Sequence, residues 1–418
     1  MKLLREPTRV LLLLSSLHGG GAERVAVHLM SRCDPGQVDL RMGLLRRAGP
    51  FLDRVDSARV LSPPFGERGL VFEGHNSGFY RPDRLAAAAT LAPLGVAAMI
   101  RAHRPQVVMS FLKGISLLTW AVLGTMGAGR PAWIAREGNN TDAVIEDELA
   151  GGPQRAVVKA LTRHAYRGAD CFLANSHEMA GSLTRSLGLR PSRVRVIHNP
   201  IDVADIRRRA AQPIDWPADR PFLLAVGRLE HQKGHDLLLR AFAGSAAARG
   251  LDLVILGRGS QEAALKALAA ELGVADRVAF PGFVDNPWAW IARAQLFVAP
   301  SRWEGFPSVV AEALACGAPA LVTACDFGPR EVVEHGVSGW VTAPFDAAGF
   351  GRDMDHLLQR PGLMARLAAA GPARAARFDV ARMAEAYTGL FLEQADARAA
   401  ALARRGRPAK VGALARAD

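Results

Sequence analysis

The chain has 418 residues, half of them hydrophobic, and a net charge of +12 that comes mainly from arginine. This length is enough for two domains with large cores, and the composition is typical of an α/β enzyme. Aromatic residues make up only 6%, which argues against a surface that stacks the bases of single-stranded nucleic acid. The positive charge is compatible with nucleic acid, anionic lipid or phosphorylated small molecules as partners.

The first apolar run, Val10–Leu14, follows three basic residues in the manner of a signal peptide. A glycine turn stands where a cleavage site would be, so we predict an ordinary first strand. A second apolar run, 85–100, contains Pro93 and falls short of the roughly 20 residues that a membrane-spanning helix needs. We therefore expect no transmembrane segment.

Residues 9–200 predict alternating strands and helices. The near-continuous apolar run 9–15 indicates a strand that is covered on both faces, and the residues after the glycine turn 19–21 recur at helical spacing. The further elements predicted in this part are strand 38–44, helix 83–103, strand 106–111, helix 115–126, strand 132–137, helix 154–167, strand 171–176, helix 177–187 and strand 194–199.

Residues 201–220 are charged and contain two prolines, so we predict a linker there. A second series of strands and helices follows. Its predicted elements are strand 222–227, a helix from residue 236, strand 251–256, helix 261–272, strand 278–283, helix 287–293, strand 295–300, a helix from residue 308, strand 320–323, helix 330–335 and strand 339–342.

This alternation predicts an α/β fold with two parallel, doubly wound sheets. We predict an N-terminal Rossmann-like domain over 1–200 and a second over 201–378. A helix at 379–395 is predicted to cross back to the N-terminal domain, and a flexible tail is predicted at 396–418. Ligands of such folds bind at the carboxyl ends of the strands, so two facing domains would share one cleft.

The four cysteines, Cys33, Cys171, Cys316 and Cys325, form no C-x-x-C pair and have no histidine at metal-binding spacing. We interpret them as reduced thiols of a cytoplasmic protein and predict no metal site.

The segment 301–319 contains the most specific pattern. Glu304 lies in a loop after an apolar strand, and Glu312 lies in the helix that follows, with Ser308 predicted as the helix cap and Gly317 just beyond its end. The backbone N–H groups from Phe306 to Val309 are predicted to point into the same space. Two carboxylates and several donors suit a ligand with many hydroxyl groups and some negative charge.

Two other loops between a strand and a helix carry residues that suit a phosphate or a sugar. Arg228 and Lys233 lie in a loop before a helix, where two cations can neutralise a diphosphate; a solvated basic loop is the structural alternative. Gly20 and Gly21 lie in a turn that allows a phosphate or sugar to approach the backbone, although a tight turn alone would also explain them. Arg136 and Glu137 end another strand, beside Gly138, Asn139 and Asn140.

The helix 154–167 is amphipathic, with Arg155, Lys159, Arg163 and Arg167 at four-residue spacing. It is either a surface helix of a soluble protein or a site of attachment to anionic lipid.

These motifs resemble the retaining nucleotide-sugar glycosyltransferases of family four, which have the GT-B fold. The resemblance covers nearly the whole chain and includes the E-x7-E spacing of Glu304 and Glu312. The residues that carry it are Gly20–Glu23, Asn199–Asp202, Gly227–Gly234, Gly282–Pro287, Ser301–Pro319 and Cys325–Glu331. The last of these blocks resembles members that extend polyprenyl-diphosphate-linked glycans or other envelope polysaccharides.

The resemblance implies a role for each predicted site residue. Arg228 and Lys233 would bind the donor diphosphate and stabilise the leaving group, and Glu312 would hold the ribose. Glu304, with Gly305, Phe306, Pro307, Ser308 and Val309, would hold the transferred sugar. Gly20 and Gly21 would approach the diphosphate and acceptor. Glu137 stands where many members have a histidine or an acid, although Arg136 could occupy the pocket instead.

The reaction implied is transfer of a sugar, with a UDP-sugar favoured as donor, to a hydroxyl of a glycan acceptor that is lipid-linked. Two fixed cations at the phosphate can replace a divalent metal, so no cofactor or metal is expected. Retention could come from same-face attack or from a covalent carboxylate intermediate. Peripheral contact with the inner face of the plasma membrane is expected, and nucleic acid is not. The alternatives are a nucleotide-sugar epimerase, a phosphorylase or a non-catalytic nucleotide-sugar-binding subunit.

Overall fold

A computed structural model describes residues 6–18, 20–64, 82–138, 145, 152–216 and 221–406. It contains two parallel sheets. The first has seven strands in the order β3-β2-β1-β4-β5-β6-β7. Its strands are β1 Thr8–Leu14, β2 Val38–Leu44, β3 Val60–Leu61, β4 Val107–Phe111, β5 Ala132–Arg136, β6 Cys171–Ala174 and β7 Val194–Val196.

The second sheet has six strands in the order β10-β9-β8-β11-β12-β13. Its strands are β8 Phe222–Val226, β9 Asp252–Leu256, β10 Val278–Gly282, β11 Leu296–Ala299, β12 Ala320–Thr323 and β13 Trp340–Thr342. In each sheet the strand order reverses beside the first strand of the series, between β1 and β4 and between β8 and β11. The prediction of two parallel, doubly wound sheets is therefore confirmed.

In the described residues α-helices connect the strands, except that only two short 3-10 helices, Leu52–Arg54 and Ser57–Arg59, lie between β2 and β3. The α-helices are α1 Gly21–Arg32, α2 Pro82–His103, α3 Leu112–Thr125, α4 Pro153–Arg167, α5 His177–Leu187, α6 Val203–Ala210, α7 His235–Gly244, α8 Glu262–Glu271, α9 Pro287–Ile291, α10 Ser308–Ala315, α11 Pro329–Val332, α12 Ala347–Leu358, α13 Pro361–Ala375 and α14 Val380–Gly406. None of the described helices is both long enough and apolar enough to span a bilayer.

The inner strands of the second sheet are apolar on both faces because both faces are covered. In β8, Phe222 and Leu224 pack in one buried cluster, and Leu223 and Ala225 pack in the other. Successive side chains of a strand point to opposite faces, so a strand with helices on both sides needs an unbroken apolar sequence. The near-continuous runs seen in the sequence have this origin.

The chain divides into two compact units. One comprises residues 1–136, 157–172 and 385–418, and the other comprises residues 137–156 and 173–384. The domain boundaries predicted at residues 200 and 378 were placed where each series of strands and helices ends. These boundaries stay predictions.

Two predictions for the connecting segments need correction. The segment 201–220 is not all linker, because it contains α6, whose first turn is capped by the Asp202 side chain accepting from the N–H of Asp205. The last helix continues to Gly406, so residues 396–406 are helical rather than a flexible tail. Its composition, rich in alanine and arginine, suits a helix, since both residues have high helix propensity.

Ile201, which follows Asn199-Pro200, pairs with the chain beside Phe378. The N–H of Ile201 donates to the carbonyl of Phe378 at 2.9 Å, and the N–H of Val380 donates to the carbonyl of Ile201 at 2.9 Å. The chain therefore enters the second series and leaves it through hydrogen-bonded neighbours.

Candidate functional site

The switch point of the second sheet brings two loops together. Strands β8 and β11 are parallel neighbours, with Leu223 paired to Leu296. The loop 227–234 leaves the carboxyl end of β8, and the loop 300–307 leaves the carboxyl end of β11. The predicted basic loop and the loop of the first glutamate therefore lie side by side. They lie at the switch point, which is where doubly wound sheets bind their ligands.

An almost buried ion pair joins these loops. Lys233 Nζ lies 2.5 Å from Glu304 Oε1, and the side chains are 17% and 9% exposed. Ser301 Oγ donates to the same carboxylate oxygen at 2.7 Å. The carboxylate is thus fixed by a cation and a hydroxyl, and the ammonium group is held at the strand ends.

Gln232 supports the basic loop from inside. Its side-chain amide donates to the carbonyl of Trp303 at 2.9 Å, and its Oε1 accepts from Arg228 Nη2 at 3.1 Å. The carbonyl of Gln232 accepts from the N–H of Arg302 at 2.8 Å. Gln232 therefore holds Arg228 and ties the basic loop to Arg302 and Trp303, which directly precede Glu304. Sequence reasoning missed Gln232, whose position between the two cations was the available signal.

A second pair fixes the outer side of the same loops. Arg302 donates to both carboxylate oxygens of Asp236 at 2.7 and 2.6 Å. Burial alone would raise the pKa of Asp236, but the hydrogen bonds and charge of Arg302 hold that pKa below its ordinary value. This two-point contact ties the Glu304 loop to the first turn of α7.

Gly234 is needed where the basic loop enters α7. Its φ is +65°, and a Cβ there would collide with the carbonyl of Pro300. Only glycine combines a left-handed backbone with such a close approach at little cost. The glycine after Lys233 thus allows the ammonium group to reach Glu304.

His235 is buried directly behind the basic loop. Burial is the main reason that its pKa falls to about 4, and the positive charge of Lys233 lowers it further. An interaction with the backbone of Arg228 opposes this shift. The imidazole is therefore neutral at physiological pH and adds no third positive charge to the loop.

Glu312 is buried in α10, and its Oε2 accepts a hydrogen bond of 2.8 Å from Trp288 Nε1. The Arg209 guanidinium stacks on the Trp288 ring at 4.7 Å and contacts Asp285 at 2.7 Å. The indole thus fixes the direction of the second glutamate, and Arg209 fixes the indole. Sequence reasoning missed Trp288, which adjoins the Asn286-Pro287 pair of the family pattern.

The start of α10 differs from the prediction. Ser308 is the first residue of the helix rather than its cap, which is Pro307, and no side chain caps this end. The N–H of Ser308 donates to the carbonyl of Phe306 at 2.9 Å, and proline has no N–H. The set of free donors predicted for residues 306–309 is therefore smaller than expected. Gly317 ends the helix region with a φ of +73°, as predicted.

Gly305 lies against the chain that leaves β5. A Cβ on Gly305 would collide with the carbonyl of Gly138, which also accepts from the Asn175 side-chain amide at 3.1 Å. Asn175 is fully buried, so this contact fixes the position of Gly138. Glu137 is buried beside it, and its N–H donates to the carbonyl of Leu173 at 3.1 Å. Asn139 and Asn140 lie outside the described residues.

Phe306 packs beside a histidine–glutamate pair. The ring centroid of His198 lies 5.4 Å from that of Phe306 and 5.3 Å from that of Phe378. His198 Nε2 lies 2.8 Å from Glu331 Oε2. Burial alone would raise the pKa of Glu331, but the hydrogen bond with His198 and two backbone N–H donors lower it below its ordinary value.

The predicted site residues of the first unit are Gly20, Gly21 and Arg136. Gly20 is the N-cap of α1 and Gly21 its first residue, while Gly19 lies outside the described residues. Glu23 folds back toward Gly20, and burial raises the pKa of its carboxyl group despite the neighbouring positive charge of Arg136. A carboxylate in the first turn is also favoured by the helix dipole.

Arg136 is 1% exposed. Its Nε donates to the Tyr387 hydroxyl in α14 at 2.9 Å, and its guanidinium lies 5.2 Å from the centre of the Phe111 ring. These contacts give Arg136 a packing role within the first unit. Its contact with substrate, like those of Gly20, Gly21 and Glu137, stays a prediction.

Comparison with known proteins gives consistent results. The family model of group 1 glycosyl transferases matches residues 206–374, and the model of the glycosyl transferase 4-like domain matches residues 20–200. Among solved structures, the HepE protein of Anabaena in complex with UDP has a TM-score of 0.71 at 19% identity, covering 92% of this chain and 100% of that one. That similarity shows the fold, which is GT-B.

Three relatives are named as glycosyltransferases. One is the N-acetylgalactosamine-N,N'-diacetylbacillosaminyl-diphospho-undecaprenol 4-alpha-N-acetylgalactosaminyltransferase of Campylobacter jejuni, 33% identical, covering 49% of this chain but only 58% of the relative. The second is the lipopolysaccharide core biosynthesis glycosyltransferase LpsE of Rhizobium meliloti, 27% identical over 84% of this chain and 89% of the relative. The third is the D-inositol 3-phosphate glycosyltransferase of Thermomonospora curvata, 32% identical over 63% and 69%. The chain therefore belongs to the group 1, family-four glycosyltransferases of the GT-B fold.

Proposed function

We propose that the chain transfers a hexosyl or N-acetylhexosaminyl group, with retention of configuration, from a UDP-sugar to a hydroxyl of a lipid-linked glycan. The observation that carries the proposal is the Lys233–Glu304 pair at 2.5 Å. It puts a cation suited to a phosphate and a carboxylate suited to sugar hydroxyls in contact at the switch point of one sheet.

The cations supply the main catalytic effect in this proposal. Bond cleavage at the anomeric carbon leaves negative charge on the departing phosphate, and fixed positive charge stabilises it without reorganisation. Lys233 provides that charge directly, and Arg228, on the same loop, is held by its hydrogen bond to Gln232. No metal is needed for this step.

Glu304 is assigned to holding the sugar rather than attacking it. Its carboxylate already accepts from Lys233 and from Ser301. Such pairing lowers its nucleophilicity and fixes its direction, as a hydroxyl-binding group requires. Same-face attack, with the departing phosphate oxygen taking the proton of the acceptor hydroxyl, needs no protein nucleophile. Glu312, held by Trp288, is assigned to the ribose.

The acceptor class rests on the relatives. One acts on a diphospho-undecaprenol-linked glycan and another in lipopolysaccharide core biosynthesis. The UDP preference is supported by the complex of the Anabaena protein with UDP. An acceptor on a lipid implies that the enzyme works at a membrane surface, and we propose the inner face of the plasma membrane.

Helix α4 is the proposed membrane contact. It exposes two apolar side chains, Val157 at 63% and Leu161 at 42%. Basic residues flank them on the same helix, and this combination suits a surface of anionic lipid. We expect the double variant Val157→Glu, Leu161→Glu to co-sediment less with anionic vesicles. The variant Val337→Glu, at another exposed apolar residue, is the matched control. Equal binding of both variants, or binding that salt does not weaken, would refute this contact.

A donor screen tests the proposed reaction. Purified protein is incubated with UDP- or GDP-sugars and polyprenyl-diphosphate-linked glycans, and the anomeric centre of the product is determined by NMR. We expect transfer from a UDP-sugar with the donor's configuration. An inverted product would overturn retention, and conversion of the donor without acceptor would indicate an epimerase.

A further inference from the structure

Three side chains of the types that bind metals lie close together, outside the proposed donor site. These are His177 at the start of α5, His198 after β7 and Glu331 in α11, and one ligand atom from each lies within 4.8 Å of the others. His198 Nε2 and Glu331 Oε2 are 2.8 Å apart. Two imidazoles and one carboxylate are a ligand set that zinc uses in proteins, with water or another ligand in the fourth position.

The carboxylate is oriented in advance. Glu331 Oε1 accepts from the N–H of Glu178 at 2.9 Å, and Oε2 accepts from the N–H of His177 at 3.0 Å. These donors hold the carboxyl group at the first turn of α5. Hydrogen bonds that hold a ligand side chain in place in this way orient it and raise its affinity for the metal.

The two histidines differ in a way that suits metal entry. His198 is held on its apolar side by Phe306 and Phe378, whereas His177 is exposed and its ring lies 5.7 Å from that of His198. Tetrahedral ligands about 2.0–2.1 Å from zinc stand roughly 3.3 Å from one another. Binding would therefore require His198 Nε2 and Glu331 Oε2 to separate from 2.8 Å and the His177 ligand atom, now within 4.8 Å of both, to approach them.

We propose that His177, His198 and Glu331 form a binding site for a borderline-soft divalent metal of the zinc class. Bound metal would link the start of α5 to α11 and fix His198 against Phe306 of the Glu304 loop. The site uses none of the side chains assigned to the donor or to charge stabilisation. It is therefore independent of the reaction proposed above, which needs no metal.

The test uses the full chain, freed of metal with chelator, and Co²⁺ as a spectroscopic substitute for Zn²⁺. We expect the visible bands of four-coordinate Co²⁺ at one ion per chain, displaced by Zn²⁺. Loss of an outer-sphere partner typically costs about 10–100-fold in metal affinity, so removing a ligand in His177→Ala should cost at least that much. His177 is exposed, so its removal should not disturb folding.

His164→Ala is the matched control, since His164 is another exposed histidine, which lies in the last turn of α4 and outside the cluster. It should bind Co²⁺ as the wild type does. The proposal is overturned if the wild type gives only the weak bands of octahedral Co²⁺. It is also overturned if both histidine variants bind equally, which would identify an adventitious ion only.

Discussion

Replacing Lys233 by alanine should destabilise the protein as well as inactivate it. The change leaves the Glu304 carboxylate without its cation. Only 9% of that side chain is exposed, so water cannot replace the lost partner well. Breaking a buried ion pair by removing one partner costs about 3–5 kcal/mol, because an unpaired charge stays in a poorly solvated place. For a unit of some 200 residues this corresponds to a fall in melting temperature of about 6–20 °C. Differential scanning calorimetry measures the fall.

A matched pair on the surface gives the control. Lys266 lies 2.7 Å from Glu262, but these side chains are 53% and 36% exposed, so Lys266→Ala should cost about 1 kcal/mol or less. Adding Glu304→Gln to Lys233→Ala should restore most of the stability, since the amide carries no charge, while turnover stays low. If Lys233→Ala melts like Lys266→Ala, the ion pair is not buried in the way described, and the reasoning fails.

Four further predictions follow from the site. Arg228→Ala and Lys233→Ala should each lower turnover by on the order of 10²-fold or more, and near-normal turnover of either purified variant would refute the diphosphate assignment. Turnover should be unchanged in excess EDTA, and a loss that Mg²⁺ or Mn²⁺ restores would disprove the metal-free account. Gly305→Ala should destabilise by about 1–3 kcal/mol through collision with the carbonyl of Gly138, whereas Gly124→Ala, which meets no neighbouring atom in α3, should stabilise slightly in the same urea titration. His235 has a pKa lowered to about 4 when folded. The unfolded chain therefore binds a proton first as pH falls below about 6.5, and stability should drop by up to about 3 kcal/mol by pH 4; His235→Phe should lose this component when unfolding is compared across the range.

The fold was predictable because its signals are local. The apolar runs at β1 and β8, each followed by a loop with glycine and a helix, indicate parallel strands covered on both faces. The placement of Lys233 beside Glu304 also follows from topology, since both loops leave adjacent strands of a doubly wound sheet. The family resemblance then indicated which ligand groups these residues would bind, namely a diphosphate and the hydroxyls of a sugar.

The parts that sequence reasoning missed depend on contacts between distant positions. The Trp288–Glu312 hydrogen bond spans 24 residues, and no local spacing indicates which buried glutamate an indole will reach. The cap of α10 was predicted from residue type, because serine favours the N-cap position. Pro307 takes that position instead and leaves Ser308 inside the helix. Residue preference is a weak prior that the loop geometry overrides.

The contact between Arg136 and Tyr387 has a consequence for synthesis on the ribosome. The two residues are 251 positions apart, and the first compact unit takes residues 385–418 from the end of the chain. A unit closed by contacts so distant in sequence cannot be completed until Tyr387 has been translated. Until then the first unit stays partly folded, because the Arg136 guanidinium cannot yet donate to the Tyr387 hydroxyl. Truncation before Tyr387 should leave that state permanent, and the second unit, whose residues end at 384, can fold first.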